Sequence, residues 1–258
     1  MPERDGFPQG TFCWVDLSTT DEDGAKSFYA DLLGWEADDM PVGEGAVYSM
    51  QVLRGKQVAA IAGQPQQQRE AGVPPLWNNY VWVESADAAA EQAGALGATV
   101  HAPPFDVLDA GRMAVIQDPQ GAFLMVWEPK RQRGAELVNE PGALCWNELA
   151  SDDMDASAEF YRGMFGWQIE QWEGAERPYL VIQVDGRGNG GIRPANDGEP
   201  PNWTPYFATD DVDAGAAKVE ELGGVKLMDV MDIGIARIAP VRDPQGAIFT
   251  LYTGQLDD

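Results

Sequence analysis

Phe12-Cys13-Trp14-Val15-Asp16-Leu17 returns 132 residues later as Leu144-Cys145-Trp146-Asn147-Glu148-Leu149. The echo continues in order along the chain. Phe28-Tyr29 with Gly34-Trp35 reappears as Phe160-Tyr161 with Gly166-Trp167, and Trp77 with Tyr80 as Trp203 with Tyr206. Asp118-Pro119-Gln120-Gly121-Ala122 reappears as Asp243-Pro244-Gln245-Gly246-Ala247, now 125 residues away. Similarity that keeps its order and nearly its spacing means two copies of one fold. A functional site is then expected twice, or once with a decayed twin.

The chain has 258 residues, a length that fits about two domains. The repeat divides it into residues 1–135 and 136–258, each large enough to bury a core of its own. Its apolar runs are too short to span a membrane, and its start lacks the basic-then-apolar pattern of a signal peptide, so a cytoplasmic protein is expected. A formal charge of −25 argues strongly against nucleic acid, whose binding needs clustered Lys and Arg, and disfavours anionic membrane surfaces. Lys130, Arg131 and Arg133 form a basic cluster between the copies and read as a solvated linker. Cys13 and Cys145 hold matching positions in separate copies, which points to buried thiols and not to a disulfide framework.

Each copy opens with a strand, Thr11 to Leu17 or Ala143 to Leu149. A helix follows whose apolar residues Ala25, Phe28, Tyr29, Leu32 and Leu33 form one stripe, closed by Gly34 at its C-terminal cap. Ser157, Phe160, Tyr161, Met164 and Phe165 repeat the stripe, closed by Gly166. Strand-like segments follow at 47–52 and 58–62, and at 179–184 and 190–193. The order then restarts with a strand, an alanine-rich helix and a hairpin around Asp-Pro-Gln-Gly, whose Pro and Gly positions suit a type I turn. The class is α+β, with two βαβββ units in each copy. Gly186-Arg187-Gly188-Asn189-Gly190-Gly191 stands between two strands and opens no helix, so it reads as a hairpin turn and not as a dinucleotide loop.

This order, with its F-Y…G-W helix and D-P-x-G-A hairpin, resembles the vicinal oxygen chelate superfamily of glyoxalases, bleomycin-resistance proteins and extradiol dioxygenases. The resemblance runs from about residue 10 to 254. It implies two tandem domains, each with curled mixed sheets around a cavity. In metal-dependent members the ligands come from the first and last strands of the units. The corresponding positions fall on Trp14 and Trp146, near Asn78 and Thr204, and on Met125 and Thr250. None of these is a histidine or a carboxylate, and tryptophan does not ligate a metal, so no metal and no cofactor is expected. His101 is the sole histidine, so a Ser-His-Asp site cannot be present in both copies.

Strand alternation puts Trp14 and Asp16 on one face, Trp146 and Glu148 on its equivalent, and groups Phe123, Met125 and Trp127. Ile248, Thr250 and Tyr252 group likewise. With Trp77 and Trp203 nearby, these positions predict an aromatic-lined pocket for a flat or apolar small molecule. Each of them also reads as a core-filling residue. Asp16 and Glu148 are the candidate proton-transfer groups, since burial beside an indole would raise a carboxylate pKa. Arg112 and Arg237, matched on the two hairpins, are their expected partners and candidate ligand contacts. Two functions stand side by side. One is a metal-free binder of a small molecule. The other is an enzyme of glyoxalase, dioxygenase or hydroxylase type that uses Asp16 and Glu148 or an unconventional metal site. A surface role through a partner protein is a third. A monomer is expected because the duplication supplies within one chain a contact that single-domain relatives make by dimerising; a homodimer stays open.

Overall fold

A computed structural model of the chain describes residues 3–43, 45–174 and 177–256. The first copy contains β1 (Phe12–Thr19), α1 (Glu22–Leu33), β2 (Glu36–Gly43), β3 (Ala46–Leu53), β4 (Lys56–Gly63), α2 (Gln66–Glu70), β5 (Leu76–Trp82), α3 (Ala86–Ala95), β6 (Thr99–Val107), β7 (Gly111–Gln117) and β8 (Phe123–Pro129). The second contains β9 (Leu144–Ser151), α4 (Met154–Phe165), β10 (Gln168–Gln171), β11 (Leu180–Val184), β12 (Arg187–Pro194), β13 (Asn202–Ala208), α5 (Val212–Glu221), β14 (Val225–Lys226), β15 (Met231–Asp232), β16 (Ala236–Arg242) and β17 (Ile248–Gly254).

Local chemistry sets the element ends. Asp21 and Asp153 cap α1 and α4 by accepting from the backbone N–H groups of Gly24 and Ala156. Gly34 and Gly166 end those helices at φ 75° and 71°, where a side chain would be strained. Arg54-Gly55 and Asp185-Gly186 take positive φ at both residues and close the hairpins β3–β4 and β11–β12. The glycine-rich run after Asp185 is thus a turn followed by strand, as expected. In the Asp-Pro-Gln-Gly turns the N–H groups of Gly121 and Gly246 donate to the carbonyls of Asp118 and Asp243.

Each copy builds one curled sheet. The strand order is β2-β3-β4-β1-β5-β8-β7-β6 in the first and β10-β11-β12-β9-β13-β17-β16-β14 in the second. The two units of a copy join through their opening strands, with β1 antiparallel to β5 and β9 antiparallel to β13. Two edge strands carry no sequence signal. The acidic, fully exposed β2 has no buried face to alternate with, and β6 carries Pro103-Pro104 through a register shift.

The helix-bearing faces of the two sheets pack against each other, so the main cores lie between the copies. One core joins α1, β1 and β4 to Phe207, α5, β16 and β17; the other joins α3, β7 and β8 to α4, β11 and β12. A third cluster, around Trp14, Met50, Tyr80 and Trp127, lies within the first copy. The repeated motifs fasten the junction between the copies. Tyr29 donates to Asp243 Oδ2 (3.0 Å) and accepts from Trp77 Nε1 (3.1 Å). Tyr161 likewise donates to Asp118 Oδ2 (2.9 Å) and accepts from Trp203 Nε1 (2.8 Å). Trp35 Nε1 donates to the Gly142 carbonyl and Trp167 Nε1 to that of Gly10, both at 2.7 Å. No helix among the described residues is long and apolar enough to cross a membrane.

Candidate functional site

The helix-free inner face of each sheet gathers the repeated Trp and carboxylate. In the first copy β1 turns Trp14 and Asp16 inward, beside Tyr48 of β3, Asn78 and Tyr80 of β5, and Met125 and Trp127 of β8. Asp16 is 6% exposed. Its Oδ1 accepts from Asn78 Nδ2 (2.7 Å), and its Oδ2 from the hydroxyls of Tyr80 (2.7 Å) and Tyr48 (3.0 Å). Trp14 Nε1 donates to the Tyr48 hydroxyl (3.0 Å), which completes a relay from indole to phenol to carboxylate. Burial raises the Asp16 pKa above its ordinary value, with the three donors pulling the other way. Burial first, and then the Asp16 charge, push Tyr48 and Tyr80 well above the usual phenol range, so both hold their protons and donate.

The second face repeats the plan with one change. Trp146 Nε1 donates to the Tyr179 hydroxyl (2.9 Å), and burial first, then the Glu148 charge, push Tyr179 and Tyr206 well above the usual phenol range. Glu148 Oε1 accepts from Arg193 Nε (2.7 Å), and Arg193 grips Glu199 through Nη2 (2.6 Å) and Nη1 (2.9 Å). Burial opposes charge on Glu199, but its bonds to Arg193 and Asn196 prevail and bring its pKa down to about 2. Register aligns Arg193 with Ala62 of the first copy, since Asp16 pairs with Ala60 as Glu148 pairs with Gly191. One carboxylate is therefore held by neutral donors alone, the other by a guanidinium as well.

The remaining expected site residues divide clearly. Thr250 and Tyr252 lie on the inner face of β17 at the places of Met125 and Trp127. Trp77 and Trp203 do not line it. They belong to β5 and β13 themselves and point toward the helices, into the inter-copy cores. Arg112 and Arg237 are also corrected. Arg112 pairs with Asp87 of α3 (2.7 Å) and Arg237 with Asp213 of α5, both outside and solvent-exposed. Phe123 sits at the outer end of β8, 45% exposed, with its ring 4.8 Å from that of His101. Cys13 and Cys145 are free thiols that donate to the carbonyls of Tyr80 and Tyr206, and burial pushes both pKa values up, away from reactivity.

Sequence reasoning missed Tyr48, Tyr179, Tyr80, Tyr206, Arg193 and Glu199. Tyr80 and Tyr206 were part of the repeat, and that signal marks them. The others reach the carboxylates through strand neighbours that only the sheet order supplies.

The sheet order, the paired units and the doubled inner site now match a known architecture. Residues 11–126 match the model of the glyoxalase/bleomycin resistance protein/dioxygenase superfamily, and residues 146–252 that of a glyoxalase-like domain. The chain belongs to this superfamily. Among its relatives is CFP32 of Mycobacterium tuberculosis, provisionally named a glyoxylase, 45% identical over 97% of both chains. The anthracycline biosynthesis protein DnrV of Streptomyces peucetius is 32% identical over 95% of this chain and 94% of its own. In fold, the chain is similar to a Mn(II)-bound glyoxalase from Novosphingobium aromaticivorans, with TM-score 0.66 at 17% identity, covering 95% of this chain and 82% of that one. It is likewise similar to 2,2',3-trihydroxybiphenyl 1,2-dioxygenase of Sphingomonas wittichii, with TM-score 0.65 at 15% identity, covering 96% and 92%.

The metal that some superfamily members hold finds no suitable donor set here. On the first inner face both oxygens of the Asp16 carboxylate already accept from fixed donors. On the second face a guanidinium occupies the place beside Glu148 where a cation would sit. Among the described residues no three His, Cys, Asp or Glu side chains cluster as a metal site would require.

Proposed function

We propose that the chain binds a small planar aromatic metabolite on its inner faces, without a metal. The observation that carries this is the pairing of an aromatic lining with carboxylates that phenols, an amide or a guanidinium already hold. Indole and phenol rings give a flat ligand contact area, and a few fixed polar groups orient it. The likeness to a protein named for anthracycline biosynthesis supports a polycyclic ligand. Titration with a panel of planar aromatic metabolites, anthraquinones included, is expected to quench tryptophan fluorescence saturably and to raise the melting temperature. A panel that does neither removes the reading.

A second reading, metal-free acid–base catalysis of glyoxalase type, draws on the raised pKa of Asp16. Protein stripped of metal by chelation would then turn over a carbonyl substrate, and Asp16→Asn would abolish the turnover while binding persisted. Turnover that survives Asp16→Asn and Glu148→Gln eliminates it.

A further inference from the structure

The junction between the copies is not symmetric at its centre. Asn147 stands where the first copy has Val15, and Asn79 stands where the second has Pro205. Strand register sets Val15 beside Asn79 and Asn147 beside Pro205, each pair on the face that meets the other copy. Asn147 Nδ2 donates to Asn79 Oδ1 across the junction (2.7 Å), and both residues are buried. Asn79 Nδ2 donates to the carbonyls of Trp77 (3.2 Å) and Trp203 (3.1 Å), which fixes the orientation of its amide. A further buried amide crosses the same way. Asn189 stands where the first copy has Val58, because Gly191 pairs with Glu148 as Ala60 pairs with Asp16. Its Oδ1 accepts from the Phe12 N–H (3.0 Å), and its Nδ2 donates to the Gly10 carbonyl (3.1 Å).

These amides have partners only when unlike copies meet. Two first copies joined in the same way would set Asn79 Oδ1 against the Val15 side chain and the Phe12 N–H against Val58. Two second copies would set Asn147 Nδ2 against Pro205 and remove the donor that crosses to the Trp203 carbonyl. Either pairing leaves buried amide groups without partners, and their desolvation is then uncompensated. The tyrosine latches make no such distinction, because Tyr29 and Tyr161, like Asp118 and Asp243, recur in both copies.

We infer that the junction is a partner-selective interface, on which the first copy accepts a face bearing amides at Asn147 and Asn189 and rejects a second face like its own. The joining segment, whose Ala135 and Val138 pack with Trp14 and Trp127, keeps the fitting partner close but does not make the choice. The test uses the full chain nicked by trypsin at 130–133, unfolded in urea and diluted, with native mass spectrometry to count the pairs. Mixed pairs are expected to exceed like pairs at least about tenfold over chance, the ratio that one unpaired buried amide produces. Asn147→Val gives the second copy the residue of the first, so it should weaken the mixed pair and admit pairs of second-copy fragments. In the intact chain Asn147→Val and Asn79→Leu should each lower the urea midpoint, and the double variant should lose less than their sum. Like and mixed pairs in chance proportion overturn the inference, as does a nicked Asn147→Val chain that still forms mixed pairs alone. If nicked chains do not re-form, the intact chain decides, and additive losses in the double variant would mean that the amides do not select one another.

Discussion

Asp16 and Glu148 occupy one position of the repeat yet differ in their surroundings, and Asp16 has a consequence in pH. Its folded-state pKa is raised by burial above the ordinary value of 3.8. Between 3.8 and that raised value the folded state holds a proton that the unfolded state has released. Stability therefore falls as pH rises through this window and is level above it. The Asp16→Asn variant lacks this titration. Thermal melts from below pH 4 to pH 8 should show the melting temperature of the wild type falling relative to the variant as pH rises. A constant difference would mean that Asp16 titrates normally. Alternation along β1 made Trp14 and Asp16 legible as a pair. It also shows why Trp77 belongs elsewhere: Asn78 and Tyr80 point inward, so Trp77 and Asn79 point out.

At the scale of elements, the Phe-Tyr helix motif and the Asp-Pro-Gln-Gly turn act on each other across the copies. Asp118 Oδ1 accepts from the N–H groups of Gln120, Gly121 and Ala122, which leaves Oδ2 for Tyr161. Asp243 does the same for its own turn and for Tyr29. Tyr161→Phe removes the donor to Asp118 and leaves Trp203 Nε1 without its acceptor in a buried core. It should cost about 1–3 kcal/mol in urea unfolding, with no change in the inner-face residues. Tyr29→Phe should cost a similar amount, and the double variant close to the sum, because the two latches belong to different cores. A loss below about 0.5 kcal/mol in both single variants would deny the latches a stabilising role. The sequence marked these residues as repeated without revealing that each motif's partner lies in the other copy.

For the whole molecule, the shared cores make the two copies one cooperative body. Separated, each would expose a face built around Trp35 and Trp77 or around Trp167 and Trp203. Lys130, Arg131 and Arg133, which pair only with exposed acids, offer trypsin a route between the sheets. Limited cleavage there should give two fragments on a denaturing gel that still elute together in native buffer and part only in denaturant. Fragments that separate in native buffer would mean that each copy buries a sufficient core alone.

The duplication, the βαβββ order, the capped helices and turns, and the pairing of tryptophan with acid on each opening strand were all legible from the residues alone. These follow from local rules: strand alternation, helical periodicity, and the conformations that Gly, Asp and Pro permit. The tertiary structure alone decided that the cores lie between copies and that Trp77 and Trp203 serve them. It also decided that Arg193, not Arg237, meets Glu148, and that the linker seals the first face. Each of these depends on which strands and sheets become neighbours across more than 40 residues of chain. A repeat states that two surfaces are alike; only packing decides what covers each of them.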